Sequence, residues 1–167
     1  MNDLTLYRDV ADEMKTGDLL LFQTGGIIGK AIQCYTKSPY SHSALVIRLA
    51  EYEGLERHRY TTEAVAMGVV LTLLSRKLEH KKGHCWWFPL KDEWDDKRQL
   101  IGERALSFVG VPYDYKGLVR FLFGTVSADV NALYCSELVA VAYGIDAAPS
   151  PVQLLGYGMH GDGIQIL

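Results

Sequence analysis

The amino-acid sequence predicts an α+β fold, in which strands in the middle of the chain are flanked by helices at both ends. Apolar residues recur at helical spacing near both ends, whereas between residues 41 and 90 they form short runs bounded by turn residues. The length of 167 residues suits one domain with a substantial core and is too short for two ordinary domains. We therefore expect residues 1–167 to form a single domain.

Helix and strand alternate in the first part of the chain. The spacing of apolar residues predicts a helix over residues 4–14. The apolar run at residues 19–22 predicts a buried strand, and the glycine pair after it predicts the start of a helix over residues 25–34. Another apolar run predicts a strand over residues 41–49, which places His42 at the beginning of that strand.

Strands dominate the middle of the chain. Apolar and β-branched runs predict strands over residues 60–65, 69–74 and 86–90, and a basic loop around residues 80–83 joins the last two. Glu63 is an acid inside the first of these strands, where a carboxyl group needs a partner. A protonated or hydrogen-bonded histidine would be such a partner.

Helices return in the last third of the chain. Apolar spacing predicts a helix over residues 93–109, a surface turn over residues 113–115 and a short helix over residues 118–123. A final periodic run predicts a helix that begins at Cys135 and ends at Gly144. The thiol of Cys135 is therefore expected at a helix N-terminus.

Charge and composition exclude several classes of function. Hydrophobic residues make up 49% and charged residues 22% of the chain, as is typical of a folded globular protein. The net charge of -3 and the lack of a basic stripe predict no nucleic-acid partner. The polar N-terminus shows no secretion signal, and the apolar runs are shorter than the ~20 residues of a membrane-spanning helix. We expect a cytoplasmic protein without a transmembrane segment.

No metal or other cofactor is predicted from the sequence. The chain contains three cysteines: Cys34, Cys85 and Cys135. Their odd number and the lack of a C-x-x-C pair indicate neither a disulfide framework nor a zinc site. His80, His84 and Cys85 have ligand-like spacing, but the two lysines between them oppose a cation. The glycines of residues 25–31 lack the spacing and the hydroxyl group of a phosphate-binding loop.

Three residues together match the needs of nucleophilic catalysis. The positive end of a helix lowers the pKa of a thiol such as Cys135, and a nearby imidazole lowers it further. His42 on one strand and Glu63 on the next would supply a base and an acid that orients it. Each residue alone has an ordinary structural explanation, since free cysteines are commonly buried as small apolar side chains. Taken together, the three predict a nucleophile, a base and an orienting group.

Five segments carry a resemblance to a known family. In chain order they are Gly17-Asp18-Leu19-Leu20-Leu21-Phe22, Ser38-Pro39-Tyr40-Ser41-His42-Ser43-Ala44-Leu45-Val46, Thr62-Glu63-Ala64, Pro112-Tyr113-Asp114-Tyr115 and Tyr134-Cys135-Ser136-Glu137-Leu138-Val139. This set resembles the circularly permuted branch of the NlpC/P60 cysteine peptidases, specifically the YiiX-like, permuted papain-like amidases. In that branch the histidine strand precedes the cysteine helix, as it does here. The resemblance implies a papain-like fold, with a small antiparallel sheet or partial barrel packed on the cysteine-bearing helix.

The same resemblance assigns roles and narrows the chemistry. It makes Cys135 the nucleophile, His42 the base and Glu63 the third, orienting residue of an enzyme that hydrolyses an amide bond. Retinol-acyltransferase-like members usually have an Asn-Cys-Glu-His type of motif, whereas this chain has Tyr134-Cys135-Ser136-Glu137, which argues against lipid acyl transfer. Cell-wall peptidases of the group commonly have export signals and wall-binding repeats, neither of which is visible here, so peptidoglycan is not the expected substrate.

The sequence therefore predicts a thiol hydrolase that forms an acyl-enzyme and cleaves an amide bond in a small peptide or an acylated amino acid. Two alternatives stay open at this point: a catalytically silent module that binds a peptide or amino acid, and a lipid-directed thiol acyltransferase. A homo-oligomer is also open, because the aromatic run Trp86-Trp87-Phe88 fits a self-association surface as well as a core or a substrate platform.

Overall fold

The computed structural model describes residues 3–49, 58–113 and 134–167. Its α-helices are α1 (Thr5–Val10), α2 (Ile27–Thr36), α3 (Leu74–His80), α4 (Arg98–Ser107) and α5 (Cys135–Tyr143). Its strands are β1 (Leu19–Thr24), β2 (His42–Ile47), β3 (Tyr60–Val65), β4 (Gly68–Leu73), β5 (Gly83–Phe88) and β6 (Ile164–Gln165). Short 3-10 helices span Asp92–Lys97 and Val152–Tyr157. Within these ranges, no helix is long and apolar enough to cross a bilayer.

The strands form an open antiparallel sheet with the order β4-β3-β2-β1-β5-β6. This confirms the predicted α+β class and the expected antiparallel sheet. In the register between β1 and β2, Leu19 lies opposite Leu45 and Phe22 lies opposite His42. The first residue of β2 therefore lies beside a central strand of the sheet.

Helices cover both faces of the sheet. Successive side chains of β1 point to opposite faces because the side-chain period of a strand is two residues. Leu19 and Leu21 join the core cluster that contains α4 and α5, whereas Leu20 and Phe22 join the cluster that contains α1 and α3. This two-sided burial explains why β1 has a continuous apolar run rather than an alternating pattern.

The carboxylate of Asp18 ties the beginning of β1 to distant parts of the chain. It is almost fully buried and accepts hydrogen bonds from the indole Nε1 of Trp87 at 2.8 Å and from the backbone N–H of Leu90 at 3.0 Å. Arg98 donates from Nη1 at 2.7 Å, and the backbone N–H of Lys15 donates at 2.9 Å. Buried carboxylates require such partners, and this set fixes β1 against β5 and α4.

Helix α3 corrects the predicted strand and loop around it. The sequence predicts a strand that reaches residue 74 and a basic loop around residues 80–83, whereas Leu74–His80 is helical. Leu74 and Leu78 are fully buried at helical spacing in the cluster that contains α1. The first leucine continues the apolar run of β4, which hid the change of period.

Other elements differ in their bounds. The first helix covers Thr5–Val10 rather than residues 4–14. The predicted helix over residues 93–109 is a 3-10 helix followed by α4, and β5 begins earlier than predicted, at Gly83. The short strand β6, which extends the sheet beside β5, was not predicted. The predicted helix at residues 118–123, and the predicted turn beyond its first residue, lie outside the described residues.

Candidate active site

The structure brings the three predicted site residues to one cleft of about 740 Å³. Cys135 is the first residue of α5, His42 is the first residue of β2, and Glu63 lies within β3. All three line the cleft, and α5 packs against both strands. A helix terminus and two neighbouring strands therefore meet at the same place, although the residues are far apart in the sequence.

Strand pairing places His42 beside Glu63. The antiparallel register between β2 and β3 aligns Val46 with Thr61, so that His42 and Glu63 lie on one face as diagonal neighbours. The imidazole Nε2 is 2.7 Å from Oε2 of Glu63. The ring centroid is 5.6 Å from that of Phe22, which limits the space in which the imidazole can turn.

The side chains of His42 and Cys135 also interact: the charge of each group, with a hydrogen-bonding contribution, shifts the pKa of the other. Because Nε2 is occupied by Glu63, Nδ1 is the ring nitrogen left for the sulfur. The order of these interactions is therefore thiol, imidazole, carboxylate. This is the order that an activated nucleophile, its base and an orienting group require.

Local sequence explains why the cysteine begins a helix. Tyr134 precedes it in an extended conformation, and the backbone N–H of Tyr134 donates to Oε2 of Glu137 at 3.4 Å. This acid in the first turn is the reciprocal half of a capping box. The helix ends at Gly144, which adopts a positive φ of 77°. Cys135 thus lies at the end of α5 where backbone N–H groups have no partners within the helix.

The surroundings of Cys135 and His42 favour a thiolate–imidazolium pair. Burial opposes ionisation of the thiol, but the charge and hydrogen bond of His42, together with the backbone of Ser43, lower the pKa of Cys135 below its usual value. Burial also opposes protonation of the imidazole, but Cys135 and then Glu63 raise the pKa of His42 above its usual value. Both shifts favour transfer of the thiol proton to the imidazole.

Glu63 remains ionised despite its burial. Its side chain is only 3% exposed, which by itself would raise the pKa. The hydrogen bond and charge of His42, followed by the charge and hydrogen bond of Lys77, outweigh burial and lower the pKa of Glu63 from 4.5 to about 2. The acid of this site is therefore a carboxylate throughout the neutral range.

Lys77 is a member of this cluster that the sequence analysis did not identify. Its Nζ contacts Oε2 of Glu63, the same oxygen that His42 contacts, and its side chain is 10% exposed. Lys77 lies on α3, in a segment where the sequence predicts the end of a strand followed by a loop. The spacing of Leu74 and Leu78 was the one signal in the sequence that could have revealed a helix there.

The walls of the cleft are mainly apolar, with lysines at one side. Ile27 and Ile28 at the start of α2 line it and are 89% and 55% exposed. Residues 64–66, at the end of β3 and just beyond it, also line the cleft and contribute small and branched side chains. Lys77 and Lys81 add positive charge close to Glu63. Apolar walls with a few convergent polar groups are typical of small-molecule sites.

The other two cysteines differ from Cys135 in their surroundings. Cys34 is exposed and is not among the residues that line the cleft. Cys85 is fully buried, and burial raises the pKa of its thiol. In residues 3–49, 58–113 and 134–167, no group of three His, Cys, Asp or Glu side chains is arranged to hold a metal ion.

The three aromatic residues of β5 differ in burial: Trp87 and Phe88 are buried, and Trp86 is half-buried. Trp87 is buried in the cluster that contains α1 and α3, whereas Trp86 is half-buried and packs edge-on against Tyr40 at a centroid distance of 5.3 Å. Phe88 also packs edge-on against Tyr40. None of the three is among the residues that line the cleft, so the structure does not favour a substrate platform there.

Comparisons with known proteins agree with this architecture. The family model Peptidase_C92, described as the permuted papain-like amidase enzymes of the YaeF/YiiX, C92 family, matches residues 13–161. Among solved structures, YiiX from Escherichia coli O157:H7, described as a metalloprotein, is 28% identical with a TM-score of 0.60. The similarity covers 78% of this chain and 64% of YiiX, so this chain spans less than two thirds of that relative. A search of curated proteins gave no match.

Proposed function

This chain belongs to the YaeF/YiiX family of permuted papain-like amidases, and we propose that it hydrolyses an amide bond through a triad of Cys135, His42 and Glu63. The observation that supports this proposal most strongly is the cluster of the thiol at the start of α5, the imidazole that lowers its pKa, and the buried carboxylate that contacts the imidazole. A thiol without a catalytic role does not need a partner that lowers its pKa.

The first half of the proposed reaction forms an acyl-enzyme. His42 holds the proton of Cys135, and the thiolate attacks the carbonyl carbon of the substrate, so that a C–S bond forms and the carbonyl oxygen becomes negative. Backbone N–H groups at the start of α5, the positive end of the helix, stabilise this oxyanion. The imidazolium then gives its proton to the nitrogen of the leaving amine as the C–N bond breaks.

The second half releases the acyl group to water. Neutral His42 takes a proton from a water molecule, which attacks the thioester carbonyl carbon. The C–S bond breaks, a carboxylic acid leaves, and the thiolate–imidazolium pair forms again. Throughout the cycle, Glu63 holds Nε2 of His42 and thereby keeps Nδ1 directed at the sulfur.

The proposed substrate is a small peptide or an acylated amino acid. A cleft of about 740 Å³ has the size of a small-molecule site rather than an extended surface. Its apolar walls suit the acyl part of such a substrate. Although YiiX is described as a metalloprotein, the described residues of this chain form no three-ligand cluster. The proposed steps use the side chains of the triad and backbone N–H groups at the start of α5.

Trapping the acyl-enzyme tests this proposal. We expect p-nitrophenyl acetate to give a burst of p-nitrophenolate and a transient acetyl group on Cys135, detected by intact-protein and peptide mass spectrometry, followed by hydrolysis. A Cys34→Ala variant serves as the control, because this exposed thiol is not among the residues that line the cleft and its loss should leave the burst unchanged. N-acyl amino acid anilides then report on amide cleavage.

The same experiment separates the two alternatives. A protein that binds these compounds without an acetyl group on Cys135 would be a silent binding module. Transfer of the acetyl group to an added alcohol or amine in preference to water would indicate an acyltransferase. Either outcome would contradict hydrolysis as the function of this site.

Glu63 should contribute stability that depends on pH. Because its folded-state pKa is about 2 rather than 4.5, this contribution is fully present above pH 4.5 and is lost as the pH falls through about 2. The difference corresponds to about 3 kcal/mol. Urea unfolding of the wild type between pH 5 and pH 2.5 should show a falling free energy of unfolding, and Glu63→Gln should show a smaller fall.

A matched control is Glu79→Gln, since Glu79 lies on α3 and pairs with the exposed Arg76. This variant should follow the wild-type dependence on pH. If Glu63→Gln also follows it, the carboxyl group of Glu63 does not have the strongly lowered pKa on which the proposed triad depends.

A further inference from the structure

The ammonium group of Lys77 contacts Glu63, the acid of the proposed triad. Its Nζ and Nε2 of His42 contact the same oxygen of Glu63, and the lysine and glutamate side chains are 10% and 3% exposed. Resting on the proposed function, we propose that Lys77 is a positioning residue: it fixes and neutralises the carboxylate that orients His42. The chain of contacts thus extends beyond the three predicted residues to α3.

The geometry leaves Glu63 little freedom as long as Lys77 is present. Oε2 is held between two donors that come from different elements, while Oε1 lies 3.5 Å from the hydroxyl of Thr61. Nζ of Lys77 also lies 4.6 Å from the centroid of the Phe22 ring, which packs on His42. A carboxylate anchored on both sides can hold an imidazole in one orientation.

Charge gives Lys77 its second role. A buried carboxylate without a compensating cation is costly, and its full charge would stabilise the neighbouring imidazolium. The ammonium group of Lys77 contacts the carboxylate directly and offsets its charge. Other titratable groups surround Glu63 and Lys77. They include His42 on β2, Cys135 on α5, Cys85 on β5 and Lys81, which follows α3. Lys77 and His42 both contact the same oxygen of the carboxylate.

Removal of this cation should change both the position and the acidity of the imidazole. In Lys77→Met, the unneutralised carboxylate would raise the pKa of His42, and the carboxylate would lose one of its two anchors. A more tightly held proton is passed less readily to the leaving group. We expect the midpoint of the His42 titration to rise by about 0.5 to 1 pH unit and acylation to slow by about tenfold.

The test follows two readouts in four proteins: wild type, Lys77→Met, Lys77→Arg and Lys82→Met. The first readout is the titration of the His42 imidazole by NMR, and the second is the rate of aniline release from an N-acyl amino acid anilide, whose leaving amine must take the proton of the imidazolium. Lys77→Arg keeps the positive charge. The acid dissociation constant of His42 and the rate of acylation should therefore both stay within about twofold of the wild type. Lys82→Met removes the same charge from an exposed neighbouring position and should match the wild type. If Lys77→Met fails to fold by circular dichroism, Lys77→Gln replaces it.

The proposal is overturned if the neutral variants titrate like the wild type and acylate at the same rate. It is equally overturned if they slow acylation but leave the titration of His42 unchanged and Lys77→Arg does not restore the rate, because that pattern indicates packing alone. Neither result touches the proposed function, which instead fails if the wild type forms no acetyl group on Cys135.

Discussion

Replacing Cys135 with alanine is expected to abolish turnover of every accepted substrate while leaving the fold intact. The variant removes the attacking sulfur, so no thioester can form, and the loss should be at least about 10³-fold in kcat. Because alanine is smaller than cysteine and Cys135 borders the cleft, the change removes few packing contacts. Turnover and mass spectrometry measure the loss, and circular dichroism with urea unfolding measures the fold.

Cys34→Ala and Cys85→Ala are the matched controls for this result. Cys34 is exposed, and its substitution should change neither activity nor stability. Cys85 is fully buried in the cluster that contains α1 and α3, so its substitution should lower stability and leave the acylation of Cys135 in place. Activity that persists in Cys135→Ala, with any accepted substrate, would refute the mechanism.

His42→Ala is expected to have an effect of similar size, with a different signature. Without the imidazole, the interactions with Ser43 alone oppose the effect of burial on the thiol, so the pKa of Cys135 should rise. Turnover should fall by about 10³-fold or more because the base and the proton donor are both lost. Alkylation of Cys135 by iodoacetamide at pH 6 should slow at the same time.

The control for this variant is His80→Ala, since His80 is an exposed histidine at the end of α3. It should retain wild-type turnover and alkylation. A His42→Ala protein that is folded and still acylates at the wild-type rate would show that another group activates the thiol, and the proposed roles would have to be reassigned.

The parts of the site that the sequence predicted depend on local patterns. A loop followed by an apolar periodic run placed Cys135 at a helix start, and a turn followed by an apolar run placed His42 at the start of a strand. Glu63 stood out because an acid inside a β-branched run requires a partner. Each of these signals lies within about ten residues of the sequence, which is the range over which periodicity can be read.

The parts that were missed depend on long-range contacts or on short elements. Lys77 could not be assigned to the site, since α3 has only seven residues and its first leucine continues the apolar run of β4. The partners of Asp18 lie 69, 72 and 80 residues further along the chain, at Trp87, Leu90 and Arg98. No local pattern connects such residues, and only the folded sheet brings them together.

The proposed mechanism requires that His42 activates the thiol of Cys135. The pH dependence of cysteine alkylation measures this activation. Iodoacetamide labelling of Cys34, Cys85 and Cys135 is measured between pH 5 and pH 9 by peptide mass spectrometry. We predict that Cys135 is labelled selectively well below pH ~8.5, the usual pKa of a free thiol, and that His42→Ala removes this selectivity. If Cys135 is labelled no faster than the exposed Cys34 at pH 6, His42 does not activate the thiol of Cys135.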